Sequence, residues 1–333
     1  MGALISLLFL GQGFRSMRLF FGLCCLALVG HANAQNYPDK TVTMVVVFPA
    51  GGSTDIVGRT VAQRMSEIWN QPVVILNRAG ADGRIGTESV VRAAPDGYTL
   101  LVGTTALAIN PAVFRKMNYD ALKDLAPITQ LVATPNALVV HPSIPVKSVR
   151  ELVALAKSRP GLLNSASGGT GTSNHLALVL FNMMAGVNIA HIPYKGSAPA
   201  VVDIVGGHVD MTFTPIVTAV QLMQSGKLRA LAVTTAVRAS LLPQVPTISE
   251  AGVAGYEASS WVGLFAPAAT PRAVIGRIHA AAVDSLRSSQ VKDVLARNSA
   301  EPVGNTPDEF TERFRREIDK WARVVKASGE KIE

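Results

Sequence analysis

Thr41-Val42-Thr43-Met44-Val45-Val46-Val47 runs directly into Phe48-Pro49-Ala50-Gly51-Gly52-Ser53-Thr54-Asp55, after which Val57, Val61, Met65 and Ile68 recur at helical spacing. A β-branched run, a glycine turn and an amphipathic stretch predict strand, tight loop and helix in that order. In the second half of the chain, Ser165-Ala166-Ser167-Gly168-Gly169-Thr170-Gly171-Thr172-Ser173 repeats the pattern, with a helix from about Asn174. Further strand signals fall at 73–76, 99–102, 137–140, 162–165, 188–193, 211–213 and 228–234, with helical stretches after Gly86 and over 148–157. Alternation of this kind predicts an α/β fold with largely parallel sheets. Two strand–loop–helix units, one per half, are what a two-lobed binder presents across a cleft.

The two loops have a shared chemistry. A helix N-terminus exposes unpaired N–H groups and roughly half a positive charge, so it attracts anions. Glycine lets the backbone approach a ligand closely, and Ser or Thr hydroxyls add donors without charge. Ser53, Thr54 and Thr172 could instead cap their own helices. Asp55 lies four residues before Arg59, so an ion pair on the helix surface competes with ligand contact for its carboxylate. Phe48, at the strand end, could wall a pocket or fill the core. Lys195 could supply one cation, and His175 follows the second loop closely enough to join it.

Composition removes other classes. The formal charge of +8 comes from 31 Lys and Arg against 23 Asp and Glu, which invites a nucleic-acid partner. The basic residues do not cluster, however. Arg313, Arg315, Arg316, Lys320 and Arg323 interleave with Glu312, Glu317 and Asp319, as on an exposed helix face. Three Trp and five Tyr leave little for a base-stacking platform, so no nucleic acid is expected.

Arg15 and Arg18 precede an apolar run ending near Ala32-Asn33-Ala34, the parts of a secretory signal over residues 1–34 with cleavage before Gln35. Met17 is well placed as the start. The signal carries two Arg and no acid, which lowers +8 to +6, and it removes the only cysteines, Cys24 and Cys25. The exported chain therefore needs no disulfide, and the periplasm is the expected compartment.

Enzyme motifs are missing. Gly169-Thr170-Gly171-Thr172-Ser173-Asn174 begins like a dinucleotide fingerprint but has Asn in place of the last Gly. There is no GxxxxGK[ST], no GxSxG and no HExxH, and His141, His175, His191, His208 and His279 are scattered. No catalytic residue, metal or cofactor is expected.

Several co-linear segments resemble the Bug/TctC family, the extracytoplasmic solute receptors of tripartite tricarboxylate transporters. They are Tyr37-Pro38-Asp39-Lys40, 48–55, Asn77-Arg78-Ala79-Gly80-Ala81-Asp82-Gly83 and Pro95-Asp96-Gly97-Tyr98-Thr99-Leu100. The second half adds 167–176, His191-Ile192-Pro193-Tyr194-Lys195-Gly196-Ser197 and Trp261–Pro267. Many members carry a second Pro where Ala50 stands.

The resemblance implies a two-lobed α/β periplasmic binding protein that closes like a flytrap on a small organic carboxylate and passes it to integral-membrane permease subunits. It carries ligand contact to Phe48, Ala50, Gly51, Gly52, Ser53, Thr54 and Asp55, and to Ser167, Gly168, Gly169, Thr170, Gly171, Thr172 and His175. Thr104 and Thr105 would line the side of the cleft, with Tyr194, Lys195, Ser197 and Asp210 as further pocket residues. One lobe would hold 35–139 plus 262–333 and the other 140–261, in a monomer. A secreted enzyme acting on an organic acid in the same cleft is the alternative, opposed by the lack of a nucleophile–base pair in the motifs.

Overall fold

The computed structural model describes residues 37–169, 172–194 and 197–328. The expected signal segment, and the candidates Thr170, Gly171 and Lys195, lie outside these residues. The strands are β1 (Val42–Val46), β2 (Val73–Asn77), β3 (Thr99–Thr104), β4 (Leu125–Thr134), β5 (Asn136–Val140), β6 (Asn164–Ser167), β7 (Ala190–Pro193), β8 (Met211–Pro215), β9 (Arg229–Val233), β10 (Ser260–Pro267) and β11 (Glu301–Pro302). The helices are α1 (Ser53–Trp69), α2 (Arg84–Val91), α3 (Ala106–Val113), α4 (Val149–Ser158), α5 (Ser173–Ala185), α6 (Ser197–Val205), α7 (Ile216–Gln224), α8 (Arg272–Arg287), α9 (Ser289–Arg297) and α10 (Pro307–Ser328).

Two sheets result, ordered β11-β4-β10-β3-β1-β2 and β7-β6-β8-β5-β9. The α/β two-sheet architecture matches the sequence pattern, but the sheets are mixed rather than largely parallel. Only β1–β2, β1–β3, β6–β7 and β6–β8 pair in parallel. The cause is the chain crossing. Strand β4 runs out toward the second sheet and β10 returns beside it, so the two must pair antiparallel, as Trp261 opposite Ala133 shows. The first crossing also falls earlier than expected. All of β5 pairs with β8 and β9, so residues 136–139 belong to the second sheet and Pro135 marks the passage.

Strand β1 is buried on both faces: Val42, Met44 and Val46 share a core cluster with Val57, Val61 and Met65 of α1, while Val45 belongs to the other cluster, with Val90 of α2. Ile68, on the same spacing, is instead exposed at the helix end. Ser148 caps α4 by accepting from the Glu151 N–H, and Glu151 returns a bond to the Lys147 N–H, a reciprocal arrangement that fixes the helix start. Strand β4 gives a weak sequence signal because Pro127 and Gln130 interrupt its apolar run. The proline is tolerated where the β4–β10 register shifts.

Helix α10 packs on α3 and β4 of the first sheet and on α5 of the second. Its Phe310 and Phe314 meet Trp261 edge-on, with ring centroids 5.6 and 6.0 Å away. Gly263, two residues along β10, has no room for a side chain: a Cβ there would stand 2.4 Å from Phe310 Cζ. Phe310 is fully buried and cannot retreat. Gly263→Ala is therefore expected to destabilise by about 1–3 kcal/mol through overpacking. Denaturant midpoints compare the two proteins, and an unchanged midpoint would contradict this packing.

Candidate functional site

A cavity of about 690 Å³ lies between the sheets, at the carboxyl ends of β1, β3 and β8. Ligands of open α/β folds bind in such crevices. The first sheet and its helices contribute Phe48, Ser53, Thr54, Asp82, Thr104, Thr105, Ala106, Ile109, Asn110, Val113, Phe114, Trp261 and Val262. The second contributes Asn136, Thr172, Ser173, Asn174 and Pro215, with Thr134 and Ser260 at the crossings.

Four helices begin at this wall: α1, α3, α5 and α7. Thr172 caps α5, its hydroxyl accepting from the His175 N–H at 3.5 Å. At α3, Thr104 Oγ1 accepts the Ala106 N–H, while Thr105 Oγ1 accepts the Trp261 N–H at 2.9 Å and ties the helix to β10. At α7, the Ile216 N–H reaches the Pro135 carbonyl. Helix α1 differs from these three. Its N-cap is Gly52, which has no side chain to offer, and no acceptor among the described residues takes the N–H groups of Ser53, Thr54 or Asp55. Ser53 and Thr54 do not cap. They stand on the wall with their N–H groups open.

What holds that loop is Asp55, and it does so from behind. Its Oδ2 accepts from the Gly51 N–H at 2.9 Å and from Arg59 Nε at 2.8 Å; its Oδ1 accepts from Asn77 Nδ2 at 2.8 Å. Asn77 Nδ2 also donates to the Phe48 carbonyl at 3.0 Å. Burial works against the charged carboxylate, but the bonds from Arg59, Gly51 and Asn77 outweigh it and hold the group at about 2. Asp55, a sequence candidate for ligand contact, is buried off the wall and positions the loop. Gly51, at φ +83°, makes the turn that presents its N–H to Asp55.

The second loop is held by neutral groups. Ser167 Oγ accepts the Gly169 N–H at 3.1 Å and lies 2.6 Å from His191 Nε2. The His191 ring stacks on His175 at 3.8 Å between centroids. Burial lowers both imidazoles, and His191 nearby lowers His175 further, to about 4. Ser167 and His191 therefore form a serine–imidazole pair that no sequence motif indicates. Ser167 is buried away from the cavity wall and already engaged with its own loop, so the pair reads as a loop brace rather than as a nucleophile and base.

Six of the candidates reach the wall: Phe48, Ser53, Thr54, Thr104, Thr105 and Thr172. Ala50, Gly51, Gly52, Ser167, Gly168, Gly169 and His175 shape the two loops without lining the cavity. Gly169 has φ +133°, and a Cβ there would stand 3.3 Å from the Tyr194 carbonyl. Tyr194 donates its hydroxyl to Asp203 Oδ2 at 2.6 Å, which pushes it up to about 12 and occupies it away from the wall. Asp210 precedes β8 at the end away from the cavity, where its Oδ2 accepts the Asn164 N–H. Ser197 opens α6.

The sequence motifs pass over other wall residues. Asp82 and Asn174 lie within the segments that resemble the family, where their residue type alone does not mark them as wall residues. Asn110 is one amide within an apolar helix, a signal that was there to be used. Asn136 follows a crossing that only the fold locates. Among the described residues, no cluster of His, Cys, Asp and Glu could hold a metal, and no helix is long and apolar enough to cross a membrane.

The sequence profile of the tripartite tricarboxylate transporter family receptor, TctC, matches residues 57–330. The chain belongs to this family. Protein BugT of Bordetella pertussis is 37% identical over 302 residues, covering 90% of this chain and 93% of BugT. Among solved structures, R. palustris Rpa4515 with adipate is 38% identical at TM-score 0.69, covering 88% of this chain and 98% of that one. MatC from Rhodopseudomonas palustris with bound malate is 34% identical at TM-score 0.65, covering 87% and 100%. Membership makes the protein a solute-binding receptor and not an enzyme.

Two outcomes follow from this geometry. Asp55→Ala strands the Gly51 N–H and both donors from Asn77 and Arg59, so it should cost about 2–3 kcal/mol and weaken ligand binding at least tenfold. Calorimetric titration and denaturant unfolding read the two effects, and full retention of affinity would refute the positioning role. The second outcome concerns acid. His175 at about 4 lies below the ordinary 6.5, so protons favour the unfolded chain. The contribution of His175 and His191 to stability should be complete above about pH 6.5 and fall as pH drops toward about 4, and a further loss should follow as Asp55 protonates toward pH 2. His175→Gln should reduce the first fall and leave the part that His191 contributes, whereas an identical pH slope in the variant would assign it elsewhere.

Proposed function

We propose that the protein is a periplasmic receptor, acting as a monomer, that captures a small organic carboxylate between its lobes and delivers it to the membrane subunits of a tripartite transporter. One observation carries this reading: the open N–H groups of the first turn of α1, where Ser53 and Thr54 stand on the wall of the inter-lobe cavity. A carboxylate accepts several N–H bonds and is favoured by the helix dipole at that place. The hydroxyls of Ser53, Thr54, Thr104 and Thr172 and the amides of Asn110, Asn136 and Asn174 supply further partners. The relatives solved with adipate and with malate support the ligand class.

The lobes are residues 37–134 with the returning segment from 260, and residues 136–259. Ligand contacts from both sides would make the closed arrangement the favoured one, with the population set by differential affinity. A screen of small carboxylates against neutral sugars and amines by thermal shift tests the reading. At a hundred times Kd a bound ligand adds about 2.7 kcal/mol of stability. Carboxylates should raise Tm. If only sugars or amines do so, the anion chemistry is wrong.

A further inference from the structure

Asp82 is the single ionisable side chain among the described residues lining the cavity. Its carboxylate makes no hydrogen bond or ion pair with a described residue, unlike that of Asp55, which is saturated. The backbone that carries it is held in an uncommon shape. Ala81 and Asp82 both lie in the left-handed region, at φ +47° and +52°, a conformation that costs non-glycine residues energy. The turn is fixed by Asn110, itself buried on the wall, whose Nδ2 donates to the Asp82 carbonyl at 3.1 Å. Gly83 sits against Val47 at the end of β1, where a Cβ would have 3.0 Å. The neighbouring Arg84 is directed elsewhere: its Nε donates to the Ala81 carbonyl and its guanidinium lies 3.6 Å over the Phe114 ring. Asp82 is thus anchored on the cavity wall with its charge uncompensated.

We propose that Asp82 reads a cationic group on the ligand, so that the solute is a zwitterion with a carboxylate at one end and an ammonium at the other. This rests on the carboxylate reading of the cleft above. A dicarboxylate would bring its second charge into a cavity whose ionisable wall group is already negative. A distal ammonium would pair with Asp82, and the ring of Phe48 on the same wall would add a further attraction for a cation. The two ends of the site would then read opposite charges, open N–H groups for the carboxylate and Asp82 for the ammonium.

Matched ligands isolate the effect. Adipate and 6-aminohexanoate have the same number of carbons and one identical end, as do succinate and 4-aminobutyrate. Titration calorimetry of the purified protein at pH 7.5 should give at least tenfold tighter binding of the better amino acid than of its dicarboxylate partner. That preference should shrink as salt rises. Asp82→Asn, whose amide tolerates the left-handed backbone, and Asp82→Gly, which relieves it, should each abolish the preference while leaving the fold intact. Equal or tighter binding of the dicarboxylates by the wild type, or a preference unchanged in both variants, would overturn the assignment and leave the carboxylate receptor standing. If no member of either pair binds and no carboxylate raises Tm, the carboxylate reading itself fails and this assignment with it.

Discussion

A buried carboxylate holds the first glycine loop in the shape that the cleft requires. Asp55 accepts from the loop at Gly51, from its own helix at Arg59 and from the neighbouring strand at Asn77. Asn77 passes the constraint on to the Phe48 carbonyl. Because these bonds lie behind the loop, the loop keeps its form without a capping side chain in front. The N–H groups of the first helical turn are left without an acceptor among the described residues. A conventional N-cap would stabilise the helix by about 1 kcal/mol and close the site. The second loop solves the same problem with a hydroxyl, two stacked imidazoles and a threonine cap, so its integrity depends on those imidazoles being neutral.

The sheets extend this constraint to the whole molecule. Strands β4 and β10 run side by side and carry the chain between lobes in opposite directions. Any relative motion of the lobes has to be absorbed where they end, near Pro135 and near Ser259, and in the packing of α10 against α5. Trp261 sits at this junction. Its ring is wedged among Phe265, Phe310 and Phe314, and its backbone N–H donates to Thr105 Oγ1 just before α3. A residue on the returning strand therefore belongs at once to the core and to the cavity wall.

Much of this was legible in the chain itself. Short apolar runs marked strands at 73–76 and 137–140, and helical spacing marked the helix over 148–157, because each pattern is local in sequence. The glycine loops were legible for the same reason, since their turns require glycine. The direction of strand pairing was not legible. It depends on which strand returns beside which, and no local pattern encodes that. The candidate site divides along the same line. Residues on the wall by virtue of the loop, such as Ser53, Thr54 and Thr172, follow from the motif. Asn136 and Phe114 reach the wall only through tertiary packing. Asp55 and Asp210 show the opposite failure: a polar residue in a site motif can serve the frame instead of the ligand, and only its hydrogen bonds tell which.

Charge is where local and global arguments part most clearly. The chain carries a net charge of +8, yet the described wall of its cleft holds no Lys or Arg and one Asp. Net charge acts over the distance of a Debye length and biases encounter with acidic solutes or surfaces. Recognition at a wall acts over the length of a hydrogen bond, where three oriented N–H groups provide directional donors that a diffuse positive surface cannot. A basic protein that holds its anion on uncharged donors can keep one free carboxylate in the same cavity, because no guanidinium or ammonium on the described wall is there to neutralise it. On the reading proposed for the cleft, the distribution of charge, and not its total, would select the solute.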